Sequence, residues 1–236
     1  MGGKINFLFD VDGTLTPSRL PIDPDFKSFF FNWIKNKSVY LITGSDKEKT
    51  IEQIGLEIWK NVTRAYQSCG NQVWENGKLI SERPFPLTEK LNLFFQKTLS
   101  QTIWKNKFGN HIEERVGLIN FSTIGRNCPQ KEREEYYQWD NKIKERKNIC
   151  EQLMNEFPEL EASVGGQISI DIHPKGANKS QVLNDISGKI YFFGDKTEKG
   201  GNDYPIIERL NQEKREMKIF TVSNPKETLE ILRKLN

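Results

Sequence analysis

The run Ile5-Asn6-Phe7-Leu8-Phe9 ends at Asp10-Val11-Asp12-Gly13-Thr14, and this junction constrains the fold more than any other stretch of the chain. A mostly apolar segment rich in strand formers reads as a strand buried on both faces, the habit of parallel sheets covered by helices. In such open sheets, ligands gather at the carboxyl ends of strands, and there Asp10 and Asp12 stand one residue apart. Two carboxylates so spaced can share a magnesium ion, and Gly13 lets the chain turn sharply away beneath them. Asp and Gly are also ordinary turn residues, so the junction needs partners elsewhere before it reads as more than an acidic turn.

A chain of 236 residues suffices for one large domain or two modest ones. Its formal charge of +3 demands neither nucleic acid nor an anionic membrane as partner. Cys69, Cys128 and Cys150 are odd in number, far apart and without the paired spacing of a zinc site. That pattern points away from a disulfide framework and toward a reducing cytosol. The first strand begins within a few residues of Met1, leaving no room for a signal peptide. No apolar run approaches the roughly 18 residues of a membrane span, and a cytoplasmic protein is expected.

After the aspartates, Pro17 and Pro21 mark a loop that carries Arg19, either a solvated charge or a phosphate contact. Asp25 is expected to open a helix through Phe26, Phe29, Phe30 and Trp33. A second strand, Val39 to Ile42, leads into Thr43-Gly44-Ser45-Asp46, where Ser45 or Asp46 can cap a helix from Lys47 to about Ile54. Asn76-Gly77 signals a hairpin, and Arg83-Pro84-Phe85-Pro86 marks a boundary. The texture then changes. A helix from Glu89 to about Ile103 is followed by short alternating segments around Ile112–Arg115 and Leu118–Phe121. One long polar helix is expected from about Gln130 to Phe157, then strands at 160–164 and 167–173. This order makes an α+β layer with an antiparallel sheet covered on one face.

The α/β rhythm resumes at Lys179 with a helix to about Ile186, a strand Lys189–Phe193 ending at Gly194-Asp195, and a helix introduced by Gly200-Gly201-Asn202-Asp203. A strand from Lys218 to Val222 then precedes a helix opened by Asn224 and Pro225. The chain reads as α/β, a doubly wound Rossmann-like core in two halves, 1–82 and 178–236, with an α+β cap inserted at 83–177.

Asp195 follows an apolar strand as Asp10 does, Asp203 stands at a helix start as cap or ligand, and Lys179 follows a glycine-containing loop. The Asp10 carboxylate, the Asp12 backbone carbonyl and Asp195 could hold magnesium, with Lys179 balancing the crowded carboxylates. The stretch from Ile5 to Thr16 resembles the nucleophile motif of the haloacid dehalogenase superfamily, in which the first Asp attacks phosphorus. The resemblance implies a hydroxyl after the second strand, Thr43 or Ser45, bonded to the transferring phosphoryl group.

Further motifs narrow the resemblance. Ile124-Gly125-Arg126-Asn127-Cys128, Glu132-Arg133, Gly165-Gly166-Gln167-Ile168-Ser169-Ile170-Asp171, Phe192-Phe193-Gly194-Asp195-Lys196-Thr197 and Gly200-Gly201-Asn202-Asp203 look like the eukaryotic-type phosphomannomutases, from Phe7 to about Pro205. That family resemblance implies interconversion of mannose 6-phosphate and mannose 1-phosphate through a hexose 1,6-bisphosphate activator, with Mg2+, and a homodimer formed through the cap. It implies Asp12 as general acid and base, Arg19, Arg115, Arg126 and Arg133 as phosphate holders, and Ser169 and Asp171 as sugar contacts. Guanidinium forks suit that holding task because they grip phosphate bidentately and stay charged. A capped sugar-phosphate phosphatase on the same fold is the alternative reading.

Overall fold

The computed structural model describes residues 4–235, which divide into two compact units: residues through Glu82 together with those from Ala177 onward, and Arg83–Gly176. In the first unit the chain runs through β1 (Ile5–Asp10), α1 (Pro24–Trp33), β2 (Ser38–Ile42), α2 (Lys47–Ile54), α3 (Leu56–Asn61), β3 (Arg64–Gln67), β4 (Gln72–Glu75) and β5 (Lys78–Glu82). The second unit holds α4 (Glu89–Gln101), β6 (Ile112–Arg115), β7 (Leu118–Phe121), α5 (Gln130–Ile143), α6 (Glu145–Glu156), β8 (Leu160–Gly165) and β9 (Ser169–Pro174). The first unit then resumes with a 3-10 helix at Lys179–Asn184, β10 (Lys189–Gly194), α7 (Tyr204–Gln212), β11 (Met217–Thr221) and α8 (Pro225–Lys234).

The first unit's sheet has the order β11-β10-β1-β2-β3-β4-β5, parallel up to β3 and closed by the β4–β5 hairpin. Side chains of β1 alternate between two cores, as the period-2 geometry of a strand requires. Phe7 and Phe9 pack with Phe26, Phe30 and Trp33 on one face, while Leu8 packs with Val182, Ile206 and Leu210 on the other. Phe9, Phe193 and Phe220 stack across three neighbouring strands, with ring centroids 4.6 and 4.4 Å apart. After the β4–β5 hairpin and the inserted residues 83–176 the chain returns to the opposite side of β1, so β1 lies between β2 and β10 at the point where strand order reverses. That point is where open sheets of this kind bind ligands.

In the second unit four antiparallel strands in the order β6-β7-β9-β8 carry an apolar face and a polar one. Ile119, Phe121, Ile170 and Ile172 pack against Phe95 of α4 and Leu153 of α6. The alternate residues line up by register: Glu113 pairs with Asn120, Asn120 with Asp171, and Asp171 with Ser163.

Several expectations need correction. Asp23 opens α1 rather than Asp25: its carboxylate accepts from the amides of Asp25 and Phe26 at 3.0 Å, and Pro24 fills the first helical position. The single polar helix expected over 130–157 is two helices, broken at Lys144, which adopts a left-handed φ of 62°. The break lets the buried Arg146 donate to Asp140, through Nε at 2.8 Å and its amide at 2.9 Å. Arg146 Nη1 also donates to the carbonyls of Gly165, Gly166 and Ser169 at 3.0–3.2 Å. The helix expected from Lys179 to Ile186 is a short 3-10 turn ending at Asn184.

Candidate functional site

The apolar alternation of β1 ends by burying Asp10, which is 2 % exposed. Both of its oxygens are engaged: Oδ1 accepts from Lys179 Nζ at 2.5 Å and Oδ2 from Thr14 Oγ1 at 3.3 Å. Lys179, itself buried, also donates to Asp203 Oδ1 at 2.7 Å. Burial pushes the Asp10 carboxyl up to about 7, with Lys179 pulling it down and Asp203 and Asp195 raising it again. Burial pulls Lys179 down, but Asp10 and Asp203 outweigh it and hold the ammonium well above the usual lysine range. Burial also raises Asp195.

The parallel register pairs Phe9 with Phe193, bringing the ends of β1 and β10 side by side. Asp10, Asp195 and Asp203 offer carboxylate oxygens that all lie within 4.8 Å of one another. Gly13 makes room for this cluster: a Cβ there would lie 2.4 Å from Asp195 Oδ2, and its φ of +83° favours glycine as well. Three carboxylates against one ammonium leave two negative charges in a largely buried place. The donor set is hard oxygen throughout, the kind that suits magnesium. Asp203 is no side-chain cap of α7; its second oxygen accepts from the Lys196 amide at 3.1 Å.

Asp12 lies outside the carboxylate cluster. Its Oδ1 accepts from the Arg19 backbone amide at 2.6 Å and from Gln53 Nε2 at 3.0 Å. Arg19 is exposed, and what it brings to Asp12 is its main chain. Gln53, buried on α2, also donates to Thr16 Oγ1 at 3.0 Å. Thr43 is buried and its hydroxyl accepts from the Ser45 amide at 3.1 Å, while Ser45 is partly exposed; Thr14 is the hydroxyl that touches Asp10. Asp46 caps α2 through the Lys49 amide at 2.8 Å. In the sequence Thr14 reads only as part of the nucleophile motif, with no contact of its own, and Gln53 as the inner face of an amphipathic helix.

The second unit gathers most of the remaining residues on the polar face of its sheet. Arg126 Nη1 donates to Asn120 Oδ1 at 2.5 Å and to Ser169 Oγ at 3.1 Å, and its Nε pairs with Glu113. Asn120 Nδ2 in turn donates to Asp171 Oδ1 at 2.5 Å. Arg115 forms a two-point contact with Glu113, at 2.9 and 3.2 Å. That contact leads the causes that hold Glu113 below the usual carboxylate range. The loop delivering Arg126 depends on Gly125 at φ +88°, where a Cβ would lie 2.4 Å from the Gly109 carbonyl. Arg133 stands near the start of α5, half-buried, and is not drawn into this network. Asn120 and Glu113 escaped the sequence reading because only strand register places them beside Asp171 and Arg126.

Relatives extend these observations. The family model described as eukaryotic phosphomannomutase matches residues 26–236. A phosphomannomutase of Saccharomyces cerevisiae is 34% identical over 242 residues, covering 97% of this chain and 92% of the relative. One from Glycine max is 39% identical over 211 residues, covering 85% of each, and one from Drosophila melanogaster is 35% identical, covering 86% of each. Among solved structures, a trehalose-6-phosphate phosphatase of Aspergillus fumigatus superposes with TM-score 0.67 at 14% identity, covering 98% of this chain and 92% of that one. A haloacid dehalogenase-like hydrolase from Bacteroides thetaiotaomicron gives 0.65 at 12% identity, covering 99% of each. At such identities the structures speak for the fold, a haloacid dehalogenase-type core. The sequence kinship is closer and runs nearly end to end: the chain belongs to the eukaryotic phosphomannomutase family.

Proposed function

We propose that this chain is a phosphomannomutase, interconverting mannose 6-phosphate and mannose 1-phosphate. The observation that carries the reading is the buried cluster of Asp10, Asp195 and Asp203 around Lys179, in a chain akin over most of its length to proteins named phosphomannomutase.

In this reading Asp10 is first phosphorylated by a hexose 1,6-bisphosphate activator. A hydroxyl of the bound sugar monophosphate attacks that phosphoryl group, the bond from Asp10 to phosphorus breaks, and Asp12 takes the hydroxyl proton. The bisphosphate so formed turns round and returns its other phosphoryl group to Asp10, while Asp12 gives the proton back to the departing sugar oxygen. The oxygen of Asp12 not held by Gln53 and Arg19 is the one left to carry the proton. Lys179 favours the ionised, attacking form of Asp10 against the effect of burial, and Thr14 fixes the orientation of its carboxylate. Magnesium, held by Asp10, the Asp12 backbone carbonyl, Asp195 and Asp203, would neutralise charge on the phosphoryl oxygens. Thr43 or Ser45 binds the transferring phosphoryl group. Arg115, Arg126 and Arg133, with Arg19, hold phosphate, and Ser169 and Asp171 contact the sugar. The stretch 83–177 acts as the cap and forms a homodimer, and the protein works in the cytoplasm.

The test is product analysis by phosphorus NMR of mannose 1-phosphate incubated with magnesium and a trace of hexose 1,6-bisphosphate. Mannose 6-phosphate should greatly exceed inorganic phosphate, and Asp10→Asn should abolish turnover without loss of fold. If free mannose and inorganic phosphate dominate, the protein is a phosphatase and the mutase reading is wrong.

A further inference from the structure

The anion-binding face of the second unit already contains an anion. Glu113 lies on the same strand and the same face as Arg115, two residues away, and its two oxygens take the Nε and Nη2 donors of that guanidinium at 2.9 and 3.2 Å. The second of these oxygens also takes Nε of Arg126. Arg126 Nη1 is engaged by Asn120 and Ser169. A carboxylate thus fills the Nε edge of both arginines, and that edge is one of those a bidentate phosphate would use. The three side chains remain open to solvent, at 33% for Glu113, 44% for Arg115 and 27% for Arg126, so a phosphate can reach the same donors.

We infer that Glu113 is a displaceable stand-in for phosphate: an internal competitor that weakens the grip of Arg115 and Arg126 on a phosphomonoester. The inference rests on the proposed sugar-phosphate site and adds how its grip is set. When the paired state must be given up before binding, the apparent dissociation constant is the intrinsic one multiplied by one plus the pairing constant. For a bidentate but solvent-accessible ion pair that factor is about three to ten. A mutase gains from such moderation, because its bisphosphate must leave one orientation and bind again in the other. A grip without a competitor would hold the phosphate longer and slow each turn.

Binding of inorganic phosphate to the full-length, magnesium-free protein, measured by calorimetry, tests this without requiring any turnover. Glu113→Gln, which is nearly isosteric, and Glu113→Ala should each tighten phosphate about three- to tenfold. Adding Arg126→Ala to Glu113→Gln should erase most of the gain. Unchanged or weaker binding in both single variants would make Glu113 an orienting group and overturn the inference, as would a gain that survives in the double variant. In turnover, KM and kcat for mannose 1-phosphate should fall together in Glu113→Gln. Tighter phosphate binding in a protein that makes no mannose 6-phosphate would count against the mutase reading while leaving the competitor in place.

Discussion

Replacing Lys179 by Met removes the one ammonium among three carboxylates while keeping the bulk of the side chain. Two short contacts are lost, 2.5 Å to Asp10 and 2.7 Å to Asp203, both inside a buried cluster. Breaking a buried ion pair by deleting one partner costs about 3–5 kcal/mol, because the remaining charge stays in low dielectric. Here the site has a partial escape. Burial raises the Asp10 carboxyl to about 7 even with Lys179 pulling it down, so without Lys179 it stands higher still and carries a proton at neutral pH. The lower end, about 3 kcal/mol, is therefore expected, and for a protein of this size that lowers the melting temperature by about 6–12 °C. The sign with pH follows: protonation of Asp10 relieves the repulsion, so the deficit of the variant should shrink as pH falls from 8 to 6. Magnesium should raise the melting temperature of the variant more than that of the parent, since a dication replaces the missing charge. Turnover should drop at least about a thousandfold, because a protonated Asp10 cannot attack phosphorus. The assay is thermal unfolding in chelator and in magnesium at several pH values, beside steady-state kinetics. A melting temperature within about 2 °C of the parent in chelator, with kcat within tenfold, would refute the electrostatic account of the cluster.

Other perturbations reach neighbouring parts of the site. Gly13→Ala drives a methyl group into Asp195, whose oxygen lies 2.4 Å from the Cβ position; a magnesium titration of activity should show the requirement raised at least about tenfold. Gln53→Leu keeps the volume on α2 but removes the N–H that holds Asp12; kcat should fall about ten- to a hundredfold with KM little changed, as expected of a residue that positions the acid and base. Burial pushes the Cys150 thiol up to about 11, so it should resist alkylation at pH 8 in the native protein and react once the chain is unfolded, as mass spectrometry would show.

Elements set by local chemistry are legible in the sequence. α2 keeps the bounds its pattern implies because Asp46 caps it and Ile51 and Ile54 face inward. Asn76 and Gly77, both at positive φ, make the turn between β4 and β5. Asn224 and Pro225 open α8. By contrast, Arg64–Gln67 carries no strand signal of its own; it becomes β3 because Tyr40–Ile42 offers a parallel partner on one side and Gln72–Trp74 an antiparallel one on the other. The residues from Gln130 to Phe157 are mostly good helix formers, and nothing local stops the helix at Lys144. The break goes with the contacts of Arg146, which reaches Asp140 six residues back and, farther along the chain, the turn carbonyls at Gly165 and Gly166.

The sequence by itself determined a strand ending in Asp10 and Asp12, a second strand ending in Asp195, the residue types for phosphoryl transfer, and kinship with the phosphomannomutases. These follow from short-range order: apolar runs, turn residues and motif spacing are all written within a few positions. Only the tertiary structure decided which groups touch. Lys179 meets Asp10 across 169 residues and Gln53 meets Asp12 across 41, separations that no local periodicity reports. It also decided that Arg19 offers Asp12 its amide, that Thr14 supplies the hydroxyl at Asp10, and that Glu113, Asn120 and Asp171 share one row of a sheet. The reason is geometric: strand order and register choose partners among chemically similar side chains, and a one-residue slip in register would turn each of them to the opposite face.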